Sequence, residues 1–245
     1  MPNVPDVIAE EFAPLAVRIA TRRYQKLAFS AERDETLYLV RKGIFLARAT
    51  LPDARQKILS ILYPGDIVRS RAMPALEGTA ITAASDSGEL WRVRGSAMKA
   101  NAEANPTLAY AISNHFTEQT ARLALHNAVL SALNGDERVA ALFIELTLRV
   151  GQTTPAGTTF DMPLSRTDIA DHLALNADTV SRIVSRMRAK GLISMVGRNR
   201  IVCRDLEALA TECPLADALT HMHAGKAVKH ADADTAQALT PASRS

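Results

Sequence analysis

Between Leu164 and Arg204 the chain places eight basic residues (Arg166, Arg182, Arg186, Arg188, Lys190, Arg198, Arg200, Arg204) against three acids, Asp168, Asp171 and Asp178. The local excess of five positive charges is larger than the +3 of the whole chain, so the remainder is near neutral or slightly acidic. A cationic patch on a balanced protein is the footprint of a polyanionic partner. Within the patch, Val180, Ile183, Val184 and Met187 recur at helical spacing as an apolar stripe. Asp178, Ser181, Arg182, Ser185, Arg186 and Arg188 are thereby left on the outward face. Guanidinium, hydroxyl and carboxylate groups displayed together on one helix are the chemistry for addressing the grooves and backbone of duplex DNA.

That helix needs a platform, and the preceding residues describe one. Ser165 is suited to N-cap a short helix, with Asp168 in its first turn where a negative charge suits the dipole. Ile169 and Leu173 stand one turn apart and face inward, and Ala170 is small enough for a second helix to cross closely. Ala174-Leu175-Asn176 makes a turn, and Asn176 caps the second helix from about Ala177 to Lys190. Gly191 ends it as a left-handed C-terminal residue. Leu192-Ile193 begins a strand, Gly197-Arg198-Asn199 turns it, and Arg200 to Cys203 returns. Two helices, a tight turn and a basic hairpin predict a winged helix-turn-helix that lays one helix into a major groove.

The segment ADTVSRIVSRMRAKGLI resembles the recognition helix and following strand of the CRP/FNR family of bacterial transcription regulators, whose members usually carry Glu-Thr-Val-Ser-Arg or Glu-Thr-Val-Gly-Arg here. LYLVRKGIFLARATLPDARQKILSILYPGDIV and GDERVAALFIEL resemble the same family's β-roll and the helix after its dimerisation helix, so the likeness spans about Leu37 to Cys203. The resemblance is to the FNR-like or FixK-like branch without an iron–sulfur cluster. It implies an α+β fold: an N-terminal cyclic-nucleotide-binding-like β-roll, a long dimerisation helix and a C-terminal winged helix-turn-helix. It further implies a homodimer on a palindromic operator, contact with RNA polymerase, and activation more often than repression. By the same resemblance Arg182 reads a guanine through its O6 and N7, Asp178 stands where the family has a base-reading glutamate, and Ser181 matches the serine of the FNR-like branch. Ser165, Arg166, Asn176 and Thr179 fall where relatives touch phosphate, with Arg186 as a basic neighbour and Gly197 and Arg198 at the tip of the wing. Two residues depart from the pattern. Asp178 is one methylene shorter than glutamate, and Ala174 occupies a position usually given to glycine, at a cost of about 1 kcal/mol if φ is positive there.

Upstream, the chain divides at composition and period changes. Residues 1–104 read as the roll with an N-terminal helix, 105–134 as the dimerisation helix, 135–213 as the DNA-binding domain, and 214–245 as a disordered tail with a helical turn near Leu215 to His221. Ile8, Phe12, Leu15 and Ile19 suggest one helix from about Val7 to Arg23. Strands are expected at Leu37–Val40, Ile44–Leu46, Ile58–Leu62, Thr79–Thr82 and Leu90–Val93, with turns at Lys42-Gly43, Pro52-Asp53, Pro64-Gly65-Asp66 and Ser87-Gly88. From about Pro106 to Leu133, Leu108, Ile112, Phe116, Gln119, Leu123, His126 and Leu130 trace a near-heptad seam, the pattern by which two such helices pair. Packing of that seam on the chain's own core is the competing reading.

Other chemistries find little support. No run of about 18 uncharged apolar residues crosses a membrane, and the N-terminus lacks a secretory pattern, so a cytoplasmic protein is expected. No cysteine or histidine precedes His115, which removes cluster and haem ligands from the roll and leaves no cofactor or metal site to assign. A cyclic-nucleotide site would need a Gly-Glu pair before Arg-Ser or Arg-Thr, whereas Arg69, Ser70 and Arg71 precede Glu77. No catalytic signature or phosphate loop occurs, so an enzyme is not expected. Two further readings remain: an effector-binding protein gated by a small molecule in the roll, and a protein-interaction module with vestigial DNA contact.

Overall fold

A computed structural model describes residues 4–29, 35–73, 76, 78–197 and 199–224. The N-terminal helix α1 spans Val4–Phe12 only. Pro14 follows in a 3-10 turn, Ala13–Leu15, and the chain then extends as β1, Val17–Arg22. The helix expected to reach Arg23 is therefore corrected. Val17, Ile19 and Thr21 are β-branched at alternate positions, and once proline ends the helix they satisfy a strand.

The roll continues through β2 (Lys26–Ala28), β3 (Thr36–Lys42), β4 (Phe45–Thr50), β5 (Gln56–Leu62), β6 (Ile67–Arg69), β7 (Ala80–Ala83) and β8 (Ser87–Arg94). These form two antiparallel four-stranded sheets, β1-β8-β3-β6 and β2-β7-β4-β5. Tyr38, Val40, Phe45, Ala47, Leu62, Val68, Ile81, Ala83 and Leu90 fill the space between them. Ser87-Gly88, expected as a turn, opens β8 instead, and Gly88 allows Phe45 and Thr21 to approach where a Cβ would stand 2.8 Å from each.

Helix α2 (Gly95–Ala104) leads into α3 (Pro106–Ala132), whose N-cap Asn105 accepts from the Leu108 amide. Helix α4 (Gly135–Val150) starts with a full capping box, in which Asn134 and Glu137 each accept from the other's backbone amide. Next come β9 (Gln152–Thr154), β10 (Gly157–Asp161), α5 (Arg166–His172), α6 (Ala177–Ala189), β11 (Ile193–Val196) and β12 (Arg200–Cys203), with the sheet ordered β11-β12-β10-β9. Helices α7 (Leu206–Ala210) and α8 (Ala216–His223) close the described chain. The helical turn expected near Leu215 to His221 is present as α8, and the disorder expected around it is corrected as far as 224, because α8 packs on α4 and buries Ala216, Leu219 and His223. Residues 225–245 lie outside the described set.

A buried charge cluster joins the units. Asp66 of the roll accepts from Arg122 of α3 at 2.6 and 3.2 Å, and Arg149 of α4 approaches at 3.6 Å. Burial alone would raise the Asp66 pKa, but the two guanidinium groups more than offset it and the carboxyl lies below its usual value. Beside it the Tyr63 hydroxyl donates to Glu145 at 2.8 Å. The winged helix is thus fixed to the roll through charged side chains from three elements.

Candidate nucleic-acid interface

The helix pair is built by local chemistry. The Ser165 hydroxyl accepts from the Asp168 amide at 3.1 Å, and Asp168 Oδ2 accepts from the Ser165 amide at 3.0 Å and the Ser165 hydroxyl at 2.8 Å. Aspartate thus completes a capping box in which glutamate or glutamine is usual. Helix α5 ends at His172 with Leu173 as its C-cap, and Ala174 takes φ +52° to reverse the chain. The Leu175 amide then donates to the Ala170 carbonyl at 2.8 Å, which closes the turn. Asn176 Oδ1 accepts from the Thr179 amide at 2.7 Å and so caps α6. At the far end Gly191 adopts φ +76°, and the Leu192 amide reaches back to Met187 at 3.1 Å.

Val180, Ile183, Val184 and Met187 are buried along α6 in the core shared with α4 and α5. The expected stripe is therefore the anchoring face. Asp178, Arg182, Ser185, Arg186 and Arg188 are exposed on the other side, and Ser181 is half-buried between. Asp178 has no hydrogen-bonding or ionic partner among the described residues. Arg182 leans toward the helix N-terminus, with Nη2 3.4 Å from Thr179 Oγ1. The Ser181 hydroxyl donates to Ala177 O at 2.9 Å, which leaves its oxygen only as an acceptor for a partner.

The expected phosphate contacts divide by their engagement. Asn176 keeps its amide NH2 after capping, and Arg166 and Thr179 are half-buried at the same helix ends. The Ser165 hydroxyl, by contrast, both accepts and donates within its capping box. Arg186 is held by Asp136 of α4, with Nη2 2.6 and 2.8 Å from its two oxygens. Sequence reasoning missed Asp136 as its partner because fifty positions separate the pair. On the hairpin Arg200 reaches Asp161 at 3.1 Å, and beyond α6 Lys190 reaches Glu212 at 2.7 Å. These pairs are exposed or half-exposed, a setting in which such contacts contribute at most about 1 kcal/mol and exchange readily for phosphate. Gly197 takes φ +64° at the wing tip and is exposed, while Arg198 lies outside the described residues.

The seam of α3 is split between two faces. Leu108 is buried in the core with Ile8 and Phe12, and His126 stacks on His172 with ring centroids 4.1 Å apart. Gln119 Nε2 donates to Ile67 O at 2.8 Å. Ile112 and Phe116 are half-buried against the same core as Leu108, Leu130 is half-buried and Leu123 is exposed, and the solvent-side edges of these four line one flank of the helix. Arg69, the arginine of the Arg-Ser pair, forks onto Glu35 at 2.7 and 2.9 Å, and Glu77 lies outside the described residues. Cys203 and Cys213 are buried free thiols, and burial pushes both above their usual pKa.

Residues 137–212 match the model of the Crp-like helix-turn-helix domain. The chain is 30% identical over 202 residues to the nitrogen fixation regulation protein FixK of Azorhizobium caulinodans, covering 82% of this chain and 81% of that one. It is 24% identical to the transcriptional activator protein FnrL of Cereibacter sphaeroides, over 83% and 84% of the two chains. Among solved structures, FixK2 from Bradyrhizobium japonicum superposes with a TM-score of 0.69 at 24% identity, covering 81% of this chain and 97% of that one. The last likeness shows the shared fold.

Proposed function

Because the chain belongs to the CRP/FNR family of transcription regulators, we propose that it acts as a homodimer that reads a palindromic operator with one α6 in each of two successive major grooves. Half-sites about 34 Å apart suit such a reader. The observation that carries this reading is the division of α6 into a fully buried apolar stripe and an exposed face bearing Asp178 and Arg182. Arg182 donates its fork to a guanine edge, Asp178 accepts from a base amino group, and Ser181 accepts beside them. Asn176, Thr179, Arg166 and the backbone at Gly197 hold phosphates, joined by Arg186 once Asp136 yields it. The dimer forms along the Ile112, Phe116, Leu123 and Leu130 flank of α3. By analogy with relatives named as activators, the bound dimer recruits RNA polymerase in the cytoplasm.

Arg182→Ala tests the reading. Discrimination between operator and scrambled duplex falls by ~1–3 kcal/mol in fluorescence anisotropy, while sedimentation still reports the dimer. Unaltered operator preference in this variant would remove Arg182 from base recognition.

One observation favours a second reading, in which a small molecule gates the protein. A cavity of about 460 Å³ lies among β5, β6, α3, α4 and α8, with Leu59, Leu123, Leu142 and Leu219 in its wall. Calorimetry with cyclic nucleotides separates the two: heat of binding coupled to a change in operator affinity supports gating.

A further inference from the structure

Helix α5 is attached to the roll by contacts that the core alone does not require. Arg48 of β4 makes an ion pair with Asp168 Oδ1, the oxygen that the capping box leaves free. Lys57 Nζ of β5 lies 3.0 Å from Asp171 Oδ1, and the Ile58 amide donates to Asp171 Oδ2 at 2.9 Å. Arg23 adds a bond to the Pro163 carbonyl at 3.3 Å, just before α5. Side chains at both ion pairs are largely withdrawn from solvent on the α5 side, where Asp168 is 12% and Asp171 14% exposed. Asp168 and Asp171 stand three residues apart, so one face of a seven-residue helix carries both acids to the roll.

The position of this contact gives it a consequence. Arg55, Gln56 and Lys57 share a cleft with Asn176 and Ala177, the first residues of the recognition helix. Two carboxylates without cations at this place would repel phosphates approaching Arg166, Asn176 and Thr179. A helix pair free to swing on its linker would also have to be ordered at the moment of binding. Both effects have the same sign.

We propose that Arg48 and Lys57 of the roll are positioning residues for DNA recognition, clamping α5 so that α6 meets the groove in one orientation with the acids of α5 neutralised. The inference rests on the DNA-reading function stated above. It makes the roll part of the DNA-binding unit, and any event that separates the β4–β5 hairpin from α5 weakens operator binding.

The full-length chain carrying Lys57→Glu and Arg48→Glu, singly and together, is compared with Lys57→Arg and Arg48→Lys. Operator affinity is read by anisotropy, and hydrogen exchange at the Ile58 amide reports the clamp without DNA. The expected result is an operator affinity about tenfold weaker in each acidic variant, with faster exchange at Ile58. The conservative variants keep wild-type values in both measurements. Exchange at Ile58 that stays slow in the acidic variants would show that no clamp exists. Faster exchange with unchanged or tighter operator binding overturns the proposal equally, since the contact would then be neutral or inhibitory. A wild-type chain that ignores every palindromic duplex while Ile58 still responds would instead refute the DNA reading itself.

Discussion

Ala174 carries the most strained backbone of the helix-turn-helix, at φ +52°, where a Cβ crowds the following carbonyl. Ala174→Gly is therefore expected to raise stability in urea unfolding by up to ~0.6 kcal/mol, net of the added freedom of the unfolded chain. A drop in stability would mean that the turn relaxes around alanine at no cost. This strain was foreseeable from the residue type in its motif, as were the caps at Ser165 and Asn176 and the left-handed Gly191, because each is decided within a few positions of sequence. The partner of Arg186 was not. Asp136 reaches it only because the start of α4 packs against the turn and α6, and no spacing rule connects the two.

Among the elements, α3 shows what periodicity can and cannot assign. Its seven seam positions were legible as apolar residues with one amide and one imidazole at heptad-like steps, yet one such row can face a partner or the chain itself. Leu108, Gln119 and His126 face the chain, Ile112 and Phe116 pack on its core by one edge, and with Leu123 and Leu130 these two form the flank proposed to pair. Leu123→Glu places like charges in that flank. The dimer is expected to split to monomers in sedimentation equilibrium, and operator binding to fall with it, while far-UV circular dichroism stays unchanged. A variant that remains dimeric would move the interface elsewhere. Strands posed the complementary difficulty. β2 and β6 are three residues long, too short to show alternation, and their existence depends on β7 and β3 beside them.

At the scale of the whole molecule, the junction between roll, α3 and winged helix is rich in buried ionisable groups. His172 is pressed between domains, and its pKa falls to about 3 through burial and then through the neighbouring His126. Its ordinary value is 6.5, so below that pH the unfolded chain gains a proton that the folded chain refuses. Stability should thus decline as pH falls from about 6.5 toward 3, at up to ~1.4 kcal/mol per unit. Asp66 and Asp168, held below their usual value of 3.8, lose their contribution as pH falls from about that value down through their lower folded-state values. Glu145, raised by burial, works in the opposite sense. The discriminating measurement is therefore a difference. Between pH 6.5 and 4.5 the wild type is expected to lose about 2 kcal/mol relative to His172→Phe in chemical denaturation. Parallel curves for the two proteins would place His172 in contact with water.

The sequence by itself determined the winged helix-turn-helix, its caps, its apolar anchor and its cationic face, because a helix, its ends and its amphipathic stripe are written in residues at most four apart. The same locality made the long α3 and five strands of the roll readable. Only the tertiary structure decided which cations are engaged and by what. Arg48 meets Asp168 across 120 positions, and Asp66 meets Arg122 across 56. Such pairs form where folding brings distant segments into one low-dielectric space, and charge type alone does not say which acid a base will find. The end of α1 at Phe12 and the packing of α8 follow the same rule: a local pattern that allows two structures is settled by the surface available to bury it.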